Sequence, residues 1–560
     1  MSAAAPDPDK SPMQTHRKSR PVRAALRFPF RHFAPQSITA LLLIGSLTAL
    51  HALWLHGIAY NSDESQHLHV VWSWTQGLLP YRDVFDNHGP LFGLINAPLL
   101  ALLGQRADVV YPMRLAMLPW FVLSLVSVYV LGRRLYGRHA ALAACVLTAL
   151  YPAFFLMTAQ VRTDCMWIAL WLAAAAVLFS SSPTACRWFA AGVLAGLALC
   201  VSQKTVLLLA CYIGAACALM LMKRRRPAGL PWRCALAGTI GLLLPPACFF
   251  VAFAMLGILG SAWYGLVLHN LLPLPERPYA LVRHILYWPL LAMATWLAAK
   301  IARAASPRAT ARGVLFLASA IYALTLYAWW PLITRQDQLP FIAGFGVVFC
   351  GEWLHRMKPV WLGRMAVVAA AMVFLALLAQ GSPPLSDALA HQRSQRALVL
   401  QLTAPSEPVM DAKGETVFRR RPFFYALESV TRQGLKDGRI PDTLIADLKS
   451  TRTHIVVACD LPPKDAAFVK ANYLPAENEV YVAGLRLPPE QDTRTIRIEV
   501  AGDYRLVARE GTLRASVDGD VIADEWRLSP GPHSVRTDKA VAAVLVWAPA
   551  LRRGLNMADL

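Results

Sequence analysis

From about Ser37 to Leu378 long apolar runs alternate with short charged loops, and the alternation stops near Gln380. A helix crossing the hydrocarbon core of a bilayer needs about 20 consecutive apolar residues. On that measure eleven segments are candidate spans, near 37–57, 108–131, 140–158, 165–181, 187–201, 205–222, 234–258, 284–302, 313–333, 339–352 and 360–379. The stretch PLFGLINAPLLALLG, beginning at Pro90, is short and contains two prolines, which predicts an interfacial or re-entrant helix. The fold expected is therefore an α-helical polytopic membrane domain over residues 37–380, preceded by a basic cytoplasmic tail over 1–36.

Beyond the last span the periodicity changes. THIVVACD predicts a buried strand, PKDAAFVKANY a helix and NEVYVAGLRL another strand, a soluble α/β segment over 381–490. Over 491–560 the runs TIRIEVAGDYRLVA, LRASVDGDVIA, EWRLSPGPHSVRT and AVAAVLVWA are broken by Gly-Asp, Asp-Gly and Pro-Gly turns, the pattern of a small β-sandwich. Neither segment shows a nucleophile triad or a metal-ligand spacing, so the chemistry is expected elsewhere.

Composition supports lipid as the solvent. Only 16% of the 560 residues are charged, against roughly 25% in soluble proteins, and the mean hydropathy is +0.42. The net charge of +21 does not point to nucleic acid, because the basic residues lie between apolar runs rather than in one patch. Nine of the ten cysteines lie before residue 380 and only Cys459 falls in the soluble part, so no disulfide framework is implied there.

Loop charge orients the spans. With the N-terminal tail (Lys10, Arg17, Lys18, Arg20, Arg23, Arg27, Arg31) inside and the Pro90 segment not crossing, sixteen further basic residues face inward. They are Arg133, Arg134, Arg138, Arg187, Lys223–Arg226, Arg233, Lys300, Arg303, Arg308, Arg312, Arg356, Lys358 and Arg364. The outward loops hold eight: Arg82, Arg106, Arg114, Arg162, Lys204, Arg277, Arg283 and Arg335. This follows the positive-inside rule and places the C-terminal domain on the outer face of the inner (plasma) membrane.

The outward loops also carry the candidate chemistry. The first, about Ile58 to Ala107, gathers Asp63, Glu64, His67, His69, Asp83, Asp86 and His88 among Trp72, Trp74, Tyr81 and Phe85. Carboxylates beside interfacial aromatics suit a polar group carried on a lipid. Adjacent on a helix, Asp63 and Glu64 point about 100° apart and cannot form one paired site. The competing reading is capping, with Ser62 or Asp63 as N-cap. Later outward turns supply Arg162 and Asp164, then Lys204, then His269, Glu276 and Arg277, then Arg335 and Asp337. Cations from separate loops neutralise a phosphate, and a carboxylate takes a proton from an attacking hydroxyl or amine.

The order SDESQH, GLLPYRDVFDNHGPL, a re-entrant segment, VRTDCMW and SQKT resembles the GT-C superfamily of membrane glycosyltransferases, specifically bacterial proteins similar to protein O-mannosyltransferases and aminoarabinose transferases. The resemblance covers about residues 37–380. It implies inverting transfer of a hexosyl or pentosyl group from a polyprenyl-phosphate sugar to a lipid, glycan or protein acceptor. Asp63, Glu64 and Asp164 would then be catalytic, and Lys204, Arg335, Arg162 and Arg277 would bind the donor phosphate. Tyr81, Asp83, Asp86, His88 and His269 would line the substrate site. No cofactor is certain; a divalent cation at Asp63 and Glu64 is left open. Two departures stand out: Gly89-Pro90-Leu91 replaces a Pro-Pro-Leu, and TRQDQLP lacks a tyrosine found before the proline in several relatives. The alternative class is a secondary transporter or flippase, which would place ionisable residues at the bilayer midplane on broken helices.

Overall fold

The computed structural model describes residues 35–179, 183–222, 231–304, 306–489, 493–508, 513–521 and 525–556. The basic residues of the N-terminal tail and the Lys223–Arg226 run lie outside these. Each expected span is helical, though those near 108–131 and 140–158 are each a pair of helices. In chain order the membrane half consists of α1 (Pro35–Trp54), α2 (Ser62–Thr75), α3 (Leu91–Leu103), α4 (Val110–Leu115), α5 (Leu118–Leu135), α6 (Arg138–Leu150), α7 (Pro152–Ala159) and α8 (Thr163–Leu178). It continues with α9 (Ala185–Leu199), α10 (Lys204–Met222), α11 (Trp232–Met255), α12 (Leu259–Trp263), α13 (Ala280–Ile301), α14 (Pro307–Trp329), α15 (Leu339–Arg356) and α16 (Val360–Gly381).

Among the described residues six stretches are long and apolar enough to cross a membrane, and α6 with α7, bent by 66°, makes a seventh if the pair is one span. That is fewer than the eleven expected: α1 (over Ile38–Trp54), α8 and α9 are apolar but shorter, and α15 is not among the helices long and apolar enough. The helices divide by what surrounds them. Almost every side chain of α8 is buried, including Asp164, Trp167 and Trp171, so it is the central post of the bundle. By contrast only 6% of the apolar window of α13 and 11% of that of α16 is buried. An apolar helix with no protein cover needs lipid around it.

The Pro90 segment is the 13-residue helix α3, about 20 Å long at 1.5 Å per residue and too short for a hydrocarbon core of about 30 Å. It packs back against α2, and its entry is pinned to the end of α9: Gly89 N–H donates to the carbonyl of Val201 at 3.2 Å and Leu91 N–H to that of Cys200 at 3.2 Å. A Cβ on Gly89 would lie 2.0 Å from the Cys200 carbonyl oxygen, so this approach requires glycine. Ion pairing across the bundle carries the same message. Asp63 before α3 touches Arg162 after α7 at 2.7 Å, which puts the two turns on one side of the bundle.

The C-terminal part begins with α17 (Ala390–Leu402) and also contains α18 (Ser429–Lys436), α19 (Leu444–Ser450), α20 (Pro463–Asn472) and α21 (Ala548–Arg552). Its strands are β1 (Val409–Met410), β2 (Ile455–Val457), β3 (Tyr473–Pro475), β4 (Val480–Leu487), β5 (Arg494–Ile498), β6 (Gly502–Ala508), β7 (Ala515–Val517), β8 (Trp526–Leu528), β9 (Gly531–Thr537) and β10 (Ala543–Trp547). A seven-stranded sheet runs β1-β2-β4-β10-β6-β8 with β3 beside β4, and a three-stranded sheet runs β5-β9-β7. The α/β and β-rich segments expected on either side of residue 490 share the larger sheet, because β10 lies between β4 and β6, antiparallel to both. Between β1 and α18, Ala412, Phe423 and Leu427 stay in this domain's own core, but the middle of the stretch leaves it. Val417 and Phe418 pack, fully buried, into the hydrophobic core of the membrane half.

Candidate active site

The site is built on the first turn of α2. Asn61 caps the helix, one residue before Ser62 and two before Asp63, the caps expected: its side-chain oxygen accepts from Asp63 N–H at 3.0 Å. Glu64 closes the capping box by accepting from Asn61 N–H at 3.2 Å. With the cap supplied by Asn61, the Asp63 carboxylate is free to face outward from the turn.

Asp63 and Glu64 then meet different surroundings. Glu64 is fully buried against Arg114, whose Nε and Nη2 donate to its two oxygens at 2.8 and 2.6 Å. With the Asn61 N–H already bonded, Val161 N–H adds a fourth bond to Glu64 at 3.0 Å. Arg114 also holds the backbone carbonyls of Leu55 and Ile58, so this pair ties the end of α1, the start of α2 and α4 together. The sequence placed Glu64 in the chemistry; its geometry is that of a sealed structural tie, with no face open to a substrate.

Asp63 is 30% exposed. One carboxylate oxygen accepts from Arg162 Nη1 at 2.7 Å and the other from Lys413 Nζ at 2.9 Å. Burial would raise the pKa of this carboxyl, but Arg162 and Lys413 outweigh it and hold the group below the usual carboxylate range. Arg162, almost fully buried, reaches on to Asp164 at 3.2 Å. Lys204 lies 3.7 Å from the other oxygen of Asp164 and 2.5 Å from Asp337. The result is an alternating chain, Lys413–Asp63–Arg162–Asp164–Lys204–Asp337, of three cations and three carboxylates. Asp63, Asp164, Lys204 and Asp337 sit at or just before the N-termini of α2, α8, α10 and α15. Four helix N-termini on one spot favour anions there.

Histidines flank the network. His67 is buried, its ring 4.5 Å edge-on from that of His88. Burial, His88 and Arg162 all push His67 well below its ordinary value, so it is neutral. Asp86 accepts from His88 N–H at 3.0 Å and lies 3.3 Å from its ring nitrogen, orienting His88 beside the network. His69 is turned away and bonds the Val417 carbonyl at 2.9 Å.

Other expected site residues, Arg335 excepted, lie apart from this cluster. Tyr81 is buried against Phe253, with its hydroxyl donating to the His88 carbonyl at 2.7 Å. Asp83 clamps a local turn through Arg82 at 2.9 Å and Leu79 N–H at 2.9 Å. His269 is fully buried among Phe85, Tyr264 and Tyr425 and bonds Glu428 at 2.9 Å. Arg277 donates to the Leu326 and Tyr327 carbonyls near the end of α14, where a cation suits the helix dipole. Arg335 is exposed, two residues from Asp337. Among the described residues no three His, Cys, Asp or Glu side chains are grouped to hold a metal ion, and the oxygens of Asp63 and Glu64 are engaged by separate cations.

Sequence reasoning missed Lys413 entirely and left out Arg114. Lys413 sits on a turn whose backbone is fixed by Asp411, which accepts from Gly414 N–H, Thr416 N–H and the Thr416 hydroxyl and pairs with Arg421 at 2.8 Å. Gly414, at φ +107°, lets the turn lie directly on α2: a Cβ there would be 2.7 Å from His69 Cβ. Glu415 is buried beside Asp411, and burial and that neighbour push it up to about 7. No local pattern in the sequence announces a lysine that acts 350 positions away.

Residues 87–250 match the family model of dolichyl-phosphate-mannose-protein mannosyltransferases. Comparison of the sequence with curated proteins gives no match. Among solved structures the fold is that of ArnT from Cupriavidus metallidurans. The apo form is 14% identical and covers 90% of this chain and 98% of its own, with a TM-score of 0.53. The form bound to undecaprenyl phosphate is 13% identical over 80% of this chain and 97% of its own, with a TM-score of 0.50. The class is thus a multi-pass membrane protein of the GT-C fold. Within it, this chain is similar to glycosyltransferases of the O-mannosyltransferase and ArnT kind.

Proposed function

We propose that this protein transfers a sugar from a polyprenyl-phosphate donor to a lipid, glycan or protein acceptor at the outer face of the inner membrane. The observation that carries the reading is the meeting of four helix N-termini around a network of cations and carboxylates that is partly open to solvent. Such a place binds a phosphate, and beside it stands a carboxylate able to take a proton. The resemblance to an ArnT bound to undecaprenyl phosphate supports the lipid-linked donor.

In this reading Lys204, Arg162 and Arg335 hold the donor phosphate, and Asp63 is the base. The acceptor oxygen or nitrogen bonds to the anomeric carbon from the side opposite the phosphate, inverting it. The carbon–oxygen bond to the phosphate breaks, its electron pair stays on the phosphate, and the acceptor's proton passes to Asp63. Asp164 keeps Arg162 and Lys204 apart and oriented, and His88, set by Asp86, lines the sugar side. Asp63, Asp164, Lys204 and Asp337 lie at or just before helix N-termini and Lys413 on a turn of the C-terminal domain, which supports a site at the mouth of the bundle rather than at the bilayer midplane, where a transporter holds its ionisable groups.

The test is direct. Purified full-length protein in lipid nanodiscs, supplied with polyprenyl-phosphate sugars and envelope lipid or glycan extracts, should release polyprenyl phosphate only when both substrates are present. Release that does not depend on acceptor, or no release with any donor, counts against the reading. Mass spectrometry of surface glycans and lipid A after gene deletion identifies the acceptor. Labelling of a cysteine at Arg138 only from the cytoplasmic side would establish the orientation.

A further inference from the structure

The six-member network is electrically balanced before any donor arrives: Lys413, Arg162 and Lys204 against Asp63, Asp164 and Asp337. A polyprenyl-phosphate sugar brings one negative charge. After the sugar leaves, the phosphate monoester carries about −1.5 to −2 near pH 7. A balanced site has to free a cation for that growing charge. Asp63 faces the opposite change. As a base it goes from charged to neutral, and with a cation on each oxygen it is a poor base until one of them departs.

Arg162 is badly placed to depart. Its side chain is 4% exposed, and its planar guanidinium bridges Asp63 and Asp164. Lys413 differs on each count. Among the described residues its ammonium pairs with one carboxylate, Asp63, at 2.9 Å, and its side chain is 17% exposed. Its four-carbon stem is flexible, with three rotatable donors. The turn beneath it is held by Asp411 and Arg421 independently of Asp63, so the ammonium can move while the backbone stays.

We propose that Lys413, carried by the C-terminal domain, is a donor-phosphate cation that rests on Asp63 in the empty site and passes to the phosphate during transfer. The proposal rests on the glycosyltransferase reading above. The two charge changes are complementary: Asp63 loses its hold on the ammonium as it takes the acceptor's proton, just as the departing phosphate gains charge and attracts it. The C-terminal domain then supplies part of the site, and removing it would remove a binding group as well as a cover.

The experiment uses full-length protein in nanodiscs, titrated with undecaprenyl phosphate and, as a neutral control, undecaprenol. Wild-type protein should prefer the phosphate. Lys413→Gln should weaken phosphate binding by roughly tenfold or more, the scale of one hydrogen bond to a charged group, and leave undecaprenol binding unchanged; Lys413→Arg should retain most of the affinity. Asp63→Asn releases the ammonium in advance, so it should tighten phosphate binding in the wild-type background and lose most of that gain when Lys413→Gln is also present. If Lys413→Gln binds the phosphate as wild type does, or the Asp63→Asn gain is fully kept without the lysine, Lys413 does not reach the phosphate and the proposal is overturned while the function stands. If wild-type protein shows no preference for phosphate over alcohol, the donor reading itself fails and takes the proposal with it.

Discussion

Behind the first turn of α2 lies a sealed ion pair, Glu64 with Arg114, both side chains fully buried. In front of it, one residue away, lies the half-open cluster of Asp63, Arg162 and Lys413, with side-chain exposures of 30%, 4% and 17%. Both regions join a carboxylate to arginine at 2.6–2.7 Å. What separates them is access. Glu64 also accepts two backbone N–H groups, from Asn61 and Val161, and leaves nothing for a ligand. Asp63 has only side-chain partners on its carboxylate, one of them a lysine on a turn from another domain. Of two neighbouring carboxylates on one helix, burial thus leaves one to hold the fold and the other within reach of solvent, where the proposed function gives it the acceptor's proton.

The contrast breaks most severely at Glu64. Glu64→Ala should leave Arg114 buried without its counter-ion, at a cost of about 3–5 kcal/mol, and lower the thermal midpoint sharply or abolish recovery of folded protein. A variant that purifies and melts like wild type would mean the pair is no structural tie. Asp63→Asn should leave folding and insertion nearly unchanged while transfer falls by about 10²–10⁴-fold, the usual worth of a positioned base; equal initial rates for variant and wild type would remove Asp63 from that role.

Lys204→Ala tests the far end of the network. Donor affinity should fall by roughly 10–100-fold, in line with about 1.5–3 kcal/mol for a bond to a charged group, and acceptor affinity should change much less. Asp337, buried and left without its cation, would also cost stability, so Lys204→Ala combined with Asp337→Asn should recover the melting temperature without recovering donor binding.

A pH-dependent effect concerns the seam between the domains. Glu415 titrates at about 7 in the folded protein against an ordinary 4.5, so between those values the folded state holds a proton that the unfolded state has lost. Stability from this group is therefore fully present below about pH 4.5, falls as the pH rises through 4.5–7 and levels off above. Asp411, Arg421, Tyr60 and Arg396 surround it. Glu415→Gln should flatten that pH dependence, read as protease cleavage of the 411–428 stretch at pH 5 and pH 8. An unchanged slope would place the titration elsewhere. Asp63 has the opposite sign: its pairs persist through neutrality and are lost only when the pH falls below the usual carboxylate range.

Apolar run length and composition determined much about this protein by themselves: the helical membrane half, the short Pro90 helix, the mixture of helix and strand after residue 380 and the loops in which Asp63, Arg162, Asp164 and Lys204 reside. These are one-dimensional properties, set by what lipid tolerates and by where charge is allowed. Tertiary structure alone decided which of two adjacent carboxylates is sealed, because Arg114 comes from a helix fifty residues on. It alone joined β10 to β4 across the expected boundary at residue 490. It alone delivered Lys413, set in no recognisable motif, onto Asp63, because Val417 and Phe418 bury themselves in the membrane core and draw the turn down with them. Ion pairing depends on distance in space and on exposure, and neither is written in the local pattern of residues.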